Sequence, residues 1–201
     1  MIRKTAGVIL AGGRSSRMGR EKPLLDVGGR PIIERVVAAV GPCVGETVVV
    51  TNRPDLYGFL GLRLLEDIQH GRGPLAGMLT ALRGVSCDAA LVVAGDYPFL
   101  DAVTLARIVR EDPGEGVVVP EIDGQLQPLC ALYAAATAKT IEKSLADGEL
   151  MVHSLIARLP RRVLTQEEFG GPAASRTFLN INTPDDLKLA EKLLGETDAR
   201  R

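Results

Sequence analysis

Short apolar runs alternate along the chain with stretches in which apolar and polar residues recur at helical spacing. A continuous apolar run bounded by turn residues is typical of a strand that is buried on both faces of a parallel sheet. Such runs predict strands at residues 6–10, 46–51, 62–65, 89–94 and 116–119. The amphipathic stretches predict helices at residues 31–40, 74–82 and 101–111. This alternation predicts an α/β fold with a doubly wound, mostly parallel sheet in a single three-layer domain.

The pattern is less regular after residue 120. It predicts strands within 124–133 and at 161–164 and 177–181, and helices at 134–145 and 151–159. Thr183, Pro184 and the two acidic residues that follow are typical of a helix N-terminus, and this last helix is expected to reach about residue 194. Residues 196–201 are expected to fray. Because no linker-like stretch interrupts the chain, residues 1–201 are predicted to form one domain.

A glycine-rich, cationic loop follows the first predicted strand. Residues 8–25 read VILAGGRSSRMGREKPLL, and the loop carries three arginines (Arg14, Arg17 and Arg20) and Lys22. Its glycine spacing matches neither GxGxxG nor the Walker sequence GxxxxGK. An ordinary glycine-rich turn with a solvated basic face is one interpretation. A cationic cluster in a chain of net charge −1 favours the other, which is a site for a polyphosphate.

Composition excludes several classes of function. Aromatic residues make up 3% of the 201 residues, tryptophan is absent and the net charge is near zero, which argues against nucleic-acid binding. The apolar runs are too short to form a signal peptide or to cross a membrane. The three cysteines are far apart and lack metal-ligand spacing, so we expect reduced thiols in a cytoplasmic protein.

Polar side chains follow several of the predicted strands. Asn52, Asp67 and Asp96 each come after an apolar run, and ligands of doubly wound sheets bind beyond the carboxyl ends of the strands. Asp96 could hold Mg²⁺ there, or it could simply cap a turn. Gly71 and Gly73 could let the backbone approach a ligand closely, or they could belong to an ordinary flexible loop.

Asn180 and Asn182 flank Ile181 in the last predicted strand. Alternate residues of a strand share a face, so both amides are expected on one side, where they could bind a ligand or complete a metal shell. The alternative is that Asn182 only begins the turn into the last helix.

Four segments resemble a known family in the same order along the chain. LAGGRSSRMGREKPLL resembles the first signature of the MobA-like nucleotidyltransferases, and GPLAGMLTAL (73–82), QPLCALY (127–133) and NINTPDDL (180–187) resemble later ones. The chain looks most similar to the molybdenum cofactor guanylyltransferases of that family. The resemblance implies a Rossmann-like nucleotidyltransferase fold, with residues 1–120 mainly binding nucleotide and 121–195 mainly binding the acceptor.

The resemblance also implies a reaction. GMP would pass from GTP to the phosphate of molybdenum-molybdopterin, with Mg²⁺ bound and pyrophosphate released. It implies three catalytic residues, Arg17, Lys22 and Asp96, of which Asp96 would also be the metal ligand. Asn180 and Asn182 would bind the acceptor. The implied nucleotide-binding residues are Leu10, Ala11, Gly12, Gly13, Lys22, Asn52, Asp67 and Asp96. Molybdenum-cofactor insertion proteins or target reductases are possible partners.

One segment departs from the family pattern. A Pro-Cys-Asp-Thr-Pro-type sequence is usual around the metal ligand, whereas this chain has Ala94-Gly95-Asp96-Tyr97-Pro98.

The sequence also leaves other functions open. A sibling enzyme uses CTP and more often carries LAAG than LAGG, so Gly13 favours GTP. A sugar-1-phosphate nucleotidyltransferase and a non-catalytic protein that binds and delivers the cofactor are further alternatives.

Overall fold

The computed structural model describes residues 3–12, 21–67 and 71–198. Within these ranges, eight strands form one sheet: β1 (Thr5–Leu10), β2 (Glu46–Val50), β3 (Arg63–Leu65), β4 (Ala89–Ala94), β5 (Val117–Ile122), β6 (Gln125–Leu126), β7 (Cys130–Ala134) and β8 (Arg161–Leu164). The α-helices are α1 (Ile32–Val40), α2 (Pro74–Gly84), α3 (Ala102–Arg110), α4 (Ala138–Ala146), α5 (Val152–Arg158), α6 (Ala174–Thr177) and α7 (Pro184–Asp198). Short 3-10 turns lie at Lys22–Leu24, Gly41–Cys43, Pro54–Leu56, Gly58–Leu60, Ala135–Thr137, Gln166–Phe169 and Gly171–Ala173.

The sheet has the order β3-β2-β1-β4-β7-β5-β6, and β8 pairs with β5. β3, β2, β1 and β4 are parallel neighbours, and β8 is parallel to β5. β7 is antiparallel to both β4 and β5, which brings the residue 130 region into the middle of the sheet. The predicted doubly wound, mostly parallel sheet is confirmed, with a central antiparallel strand that the apolar pattern did not indicate.

The sheet separates two apolar cores, because alternate side chains of each strand point to opposite faces. Ile9 and its neighbours on one face pack against α1 and α3. Val8 and its neighbours on the other face pack against α2, α4 and α5. Both residues are fully buried, as expected for a strand with helices on each side. The arrangement has three layers, as the alternation of strands and helices predicted.

The predicted strand at residues 177–181 is wrong. α6 occupies the first part of this region, and Phe178 and Ile181 are buried without pairing to the sheet. Phe178 packs edge-on against Phe169, with ring centroids 5.3 Å apart. The backbone N–H of Ile181 donates to the carbonyl oxygen of Asp96, beyond the end of β4, and not to a strand of the sheet. Apolar side chains at residues 178–181 are therefore buried by a helical turn and a loop.

The predicted start of the last helix is confirmed in detail. The backbone N–H of Asp186 donates to the Thr183 hydroxyl at 3.2 Å. The Asp186 carboxylate accepts from the backbone N–H groups of Thr183 at 2.7 Å and Asn182 at 2.9 Å. This reciprocal arrangement is a capping box, which satisfies N–H groups that have no partner inside the helix. The helix continues past the predicted end, to Asp198.

Cys43, Cys87 and Cys130 are free thiols, in agreement with the sequence-based expectation. Within the described ranges, no helix combines the length and the apolar character that crossing a membrane requires.

Candidate active site

A cavity of about 540 Å³ opens where the parallel strands end. It lies at the carboxyl ends of β1, β2 and β4, beside the N-terminus of α2, which is the edge of a doubly wound sheet where ligands bind. The cavity brings together most of the residues that the sequence singled out. Its walls include Leu10, Ala11, Gly12, Lys22, Asn52, Asp67, Gly71, Gly73 and Asp96. Gly13 and Arg17 lie outside the described residues.

Backbone hydrogen bonds beyond the strands hold these walls together. Ala11 N–H donates to the carbonyl oxygen of Val50 at 2.9 Å, and Gly95 N–H donates to that of Leu10 at 3.0 Å. The parallel pairing therefore continues by one residue past each strand. Asn52 and Asp96 then leave the sheet at the same edge, which explains how residues far apart in sequence share one cavity.

The N-terminus of α2 forms another wall of the cavity. Gly71 and Gly73 precede the helix with φ values of 79° and 73°, a left-handed conformation that glycine adopts without strain. A Cβ atom on Gly77, one turn into the helix, would lie 3.2 Å from Leu10 Cδ2. The helix therefore packs closely on β1. Its first N–H groups, which lack acceptors within the helix, lie beside the cavity.

Asp96 is a partly buried carboxylate in this cavity wall. Its Oδ1 atom is buried and has no hydrogen-bond partner among the described residues. Burial raises the pKa of Asp96 to about 6, against the opposing effects of the Lys22 charge and a backbone hydrogen bond. An unpartnered buried carboxylate oxygen carries a desolvation cost that a bound cation would remove.

Asp67 is the second buried carboxylate of the cavity. It follows β3, and the Thr80 hydroxyl of α2 lies 3.5 Å from its Oδ1 atom. This contact links the end of β3 to the helix whose N-terminus lines the cavity.

Asn180 and Asn182 lie outside the cavity wall. The prediction that both amides share one face of a strand is wrong, because these described residues form no strand. Asn182 nevertheless reaches the site. Its Oδ1 atom accepts a hydrogen bond of 2.7 Å from Lys22 Nζ. The intervening residue, Ile181, donates its backbone N–H to the carbonyl oxygen of Asp96 at 3.0 Å.

The MobA-like NTP transferase domain matches this chain over residues 7–163, from β1 into β8. The chain belongs to the MobA-like NTP transferase family. The match includes the cavity residues that follow β1, β2, β3 and β4. The residues that line the cavity therefore lie within the part of the chain that matches the family.

Curated relatives of this MobA-like transferase match almost its whole length. It is 36% identical over 185 residues to a probable molybdenum cofactor guanylyltransferase of Pelotomaculum thermopropionicum, covering 92% of this chain and 90% of that protein. It is 37% identical over 194 residues to the molybdenum cofactor guanylyltransferase of Cereibacter sphaeroides, covering 94% and 96%.

Solved structures agree with the family assignment. The molybdopterin-guanine dinucleotide biosynthesis protein A of Archaeoglobus fulgidus superimposes with a TM-score of 0.80 at 28% identity, covering 95% of this chain and 99% of that one. A CMP:2-keto-3-deoxy-manno-octonic acid synthetase complexed with CTP gives a TM-score of 0.72 at 17% identity, which shows the fold alone. The predicted nucleotidyltransferase fold is thus confirmed.

The residues by which this MobA-like transferase departs from the family pattern have packing roles. A Cβ atom on Gly95 would lie 3.1 Å from Pro23 Cγ and 3.3 Å from the Leu10 carbonyl oxygen, so glycine allows the Lys22–Leu24 turn to pack on the end of β4. The Tyr97 side chain is buried, and its hydroxyl lies 3.4 Å from Gln127 Oε1.

Sequence reasoning did not single out several residues of the cavity wall. Glu21, Thr51 and Arg53 lie next to predicted residues, and Leu129 belongs to the QPL motif. Leu129 accepts a 2.8 Å hydrogen bond from Ala94 N–H, which places the motif beside the end of β4. The QPL motif could have identified Leu129 from the sequence, whereas no sequence pattern identifies Glu21 or Arg53.

Proposed function

We propose that this chain transfers GMP from GTP to the phosphate of molybdenum-molybdopterin, which gives the guanine dinucleotide form of the cofactor and pyrophosphate. The observation that carries the proposal is that Lys22, in the Lys22–Leu24 turn, and Asp96, which follows β4, meet in one cavity beside a helix N-terminus. The relatives named guanylyltransferases, which cover over nine tenths of the chain, support the choice of substrates.

The nucleotide occupies the cavity described above. Its volume of about 540 Å³ lies within the range of small-molecule sites, roughly 300–1,000 Å³. The backbone of Leu10, Ala11 and Gly12, and the side chains of Asn52 and Asp67, bind the nucleoside part. Gly13 is proposed to join them. Lys22 and the N–H groups at the start of α2 face the phosphates, because both favour negative charge.

Asp96 has the chemistry that a magnesium ion requires. Its buried oxygen without a hydrogen-bond partner is a hard ligand of the kind that Mg²⁺ binds, commonly together with phosphate oxygens and water. No group of three potential ligands from His, Cys, Asp or Glu occurs in the described part of the chain, and Asp96 is the carboxylate proposed to hold the ion. Bound Mg²⁺ would supply charge that stabilises the reacting phosphates.

The reaction needs no covalent enzyme intermediate, because the phosphate of the acceptor is itself a nucleophile. The protein's contribution is to hold the two phosphates in line and to stabilise the charge that builds up on the α-phosphate. Lys22 contributes a fixed positive charge close to that phosphate. Arg17 is proposed to contribute a second one.

The second half of the chain is proposed to form the binding site for the acceptor. Residues 121–195 are proposed to bind molybdopterin, with Asn180 and Asn182 nearest the nucleotide, whereas residues 1–120 bind mainly GTP. We further propose that the protein acts in the cytoplasm and passes its product to cofactor insertion proteins or to the target reductases.

Pyrophosphate release tests the proposed reaction. The purified protein is incubated with Mg²⁺, molybdenum-molybdopterin and each of the four nucleoside triphosphates in turn. We expect release with GTP that depends on the acceptor. Release with CTP alone would identify a cytidylyltransferase, and GTP binding without release would indicate a delivery protein; either result contradicts the proposal.

A further inference from the structure

The loop between α6 and α7 contacts both residues proposed to handle phosphate charge. Asn182 Oδ1 accepts the 2.7 Å hydrogen bond from the ammonium group of Lys22, across 160 residues of sequence. The neighbouring residue, Ile181, holds the Asp96 backbone through its N–H group at 3.0 Å. This short segment therefore contacts both the Lys22–Leu24 turn and the residue that follows the end of β4.

Asp186 fixes the conformation of that segment. One carboxylate oxygen, Oδ2, accepts the N–H groups of both Asn182 and Thr183. Burial alone raises the pKa of Asp186, but these hydrogen bonds, one with the Thr183 side chain and the charge of Lys22 together lower it. Ile181 is fully buried on the other side of Asn182. The Asn182 backbone is thus held from both sides.

A neutral hydrogen-bond partner such as Asn182 affects how Lys22 can bind a phosphate. Its flexible stem would let the ammonium group turn towards the carboxylates of Asp96 and Asp186, whose pKa values both respond to its charge. A lysine paired with a carboxylate is a poorer ligand for an incoming phosphate. A neutral amide oxygen can orient the ammonium group without neutralising it, and it leaves the other two N–H donors available.

We propose that Asp186 is a positioning residue that acts through Asn182 to hold the Lys22 ammonium group towards the nucleotide phosphates. The identity of the nucleotide rests on the function proposed above, whereas the hydrogen-bonded connection from Asp186 to Lys22 does not. Asp186 touches no substrate in this role; it sets the position of the residue that does.

A purely structural role is the competing explanation, since Asp186 also caps α7. Asp185 provides the matched control. It occupies the same first turn and carries the same charge, but its side chain is 89% exposed and pairs only with Lys188, at 3.0 Å, among the contacts described for it. Replacing either aspartate removes one negative charge near the helix N-terminus, and only Asp186 holds Asn182.

The test is a double-mutant cycle on nucleotide affinity, which needs no acceptor and no turnover. Titration calorimetry with Mg²⁺ and GTP is carried out on the wild type, Asp186→Ala, Asp185→Ala and Lys22→Ala, and on the double variants that combine Lys22→Ala with each aspartate change. We expect Asp186→Ala to weaken binding about tenfold and Asp185→Ala by less than about twofold. In the Lys22→Ala background, Asp186→Ala should cost less than about twofold more.

An equal loss from Asp186→Ala in both backgrounds would overturn the proposal, because a structural effect does not depend on Lys22. Asn182→Ala leaves the cap intact and should behave like Asp186→Ala, so it decides the question if Asp186→Ala does not fold. Asp186→Asn keeps an acceptor oxygen and should restore most of the affinity.

Different results would contradict the guanylyltransferase proposal and the proposal that Asp186 positions Lys22. If the wild type binds CTP and not GTP, the guanylyltransferase assignment fails, and the same cycle is measured with CTP because Lys22 faces phosphates rather than the base. A wild type that binds neither nucleotide would overturn both proposals.

Discussion

Lys22 and Asp96 both line the cavity, but their surroundings stabilise their charges to different degrees. The Lys22 side chain is half-buried and already has a neutral hydrogen-bond partner in Asn182. Asp96 is desolvated, and with a pKa of about 6 its negative charge is costly at neutral pH. A ligand that brings both negative phosphates and a divalent cation therefore satisfies the two residues at once.

Replacing Lys22 tests its proposed role directly. We expect Lys22→Ala to lower the rate of nucleotidyl transfer about 10²- to 10³-fold, because a preorganised charge at the reacting phosphate is lost. The free energy of unfolding should change by less than about 0.5 kcal/mol, because the hydrogen bond that is lost is exposed to solvent. Initial rates of pyrophosphate release and urea denaturation check the two expectations. Lys188→Ala, which removes an exposed lysine on α7, should keep the wild-type rate.

Near-normal turnover of Lys22→Ala would contradict the assignment of Lys22 as a catalytic residue. A large loss of stability in that variant would instead identify the hydrogen bond to Asn182 as structural.

The residues of the cavity could be predicted from sequence where each one lies within two residues of a strand's carboxyl end. Asn52 and Asp96 are examples, because the carboxyl ends of parallel strands must meet at one edge. The contact between Lys22 and Asn182 could not be predicted, since it depends on how a loop 160 residues away folds. The resemblance of NINTPDDL to the family signature marked Asn182, but it did not indicate which residue Asn182 contacts.

Helices and strands were predictable wherever local pattern and tertiary position agree. The apolar run of β4 was predicted with its observed bounds, because a strand in the middle of the parallel region is buried on both faces. The region at 177–181 is apolar at three of five positions, but α6 ends at Thr177 and the residues after it do not pair with the sheet. A sequence window carries no information on the tertiary contacts that decide between a strand and a buried loop, which is why this prediction was wrong.

The capping box of α7 should contribute stability that depends on pH. We expect Asp186→Ala to lower the free energy of unfolding by about 1 kcal/mol at pH 7. The pKa of Asp186 is lowered in the folded protein, so its contribution is complete above the pKa of an unfolded aspartate, about 3.9, and is lost as the pH falls through the folded value. Urea denaturation at pH 7 and at pH 3 measures both differences.

Asp185→Ala is the control for this prediction, since its carboxylate makes no capping hydrogen bond in the described structure. A destabilisation by Asp186→Ala that stays constant down to pH 3 would show that the carboxylate charge is not its cause.

The whole molecule is organised by a sheet that separates two apolar cores. β7 lies between β4 and β5 and is buried along its length, and Cys130 at its start is fully buried. Burial raises the pKa of all three cysteine thiols, with Cys130 most strongly affected. Access to Cys130 therefore requires that the sheet open.

Cysteine alkylation should follow this order. In native buffer at pH 8 we expect iodoacetamide to modify Cys43 and Cys87, which are half-buried, well before Cys130, because the thiolate is the reactive form. Peptide mass spectrometry over time gives the three rates. Urea below the unfolding midpoint should accelerate the reaction of Cys130 selectively, in proportion to the unfolded fraction. Equal rates for Cys87 and Cys130 in native buffer would show that β7 opens locally.

The hydrogen bond between Lys22 and Asn182 also has a consequence for protein synthesis. Translation proceeds from the N-terminus, so the strands that form most of the cavity are made before Asn182 exists. A product whose translation stops after β8 contains Lys22 and Asp96 but lacks the segment that orients them. We expect such a fragment to bind nucleotide more weakly than the full chain, because it lacks the hydrogen bond from Lys22 to Asn182.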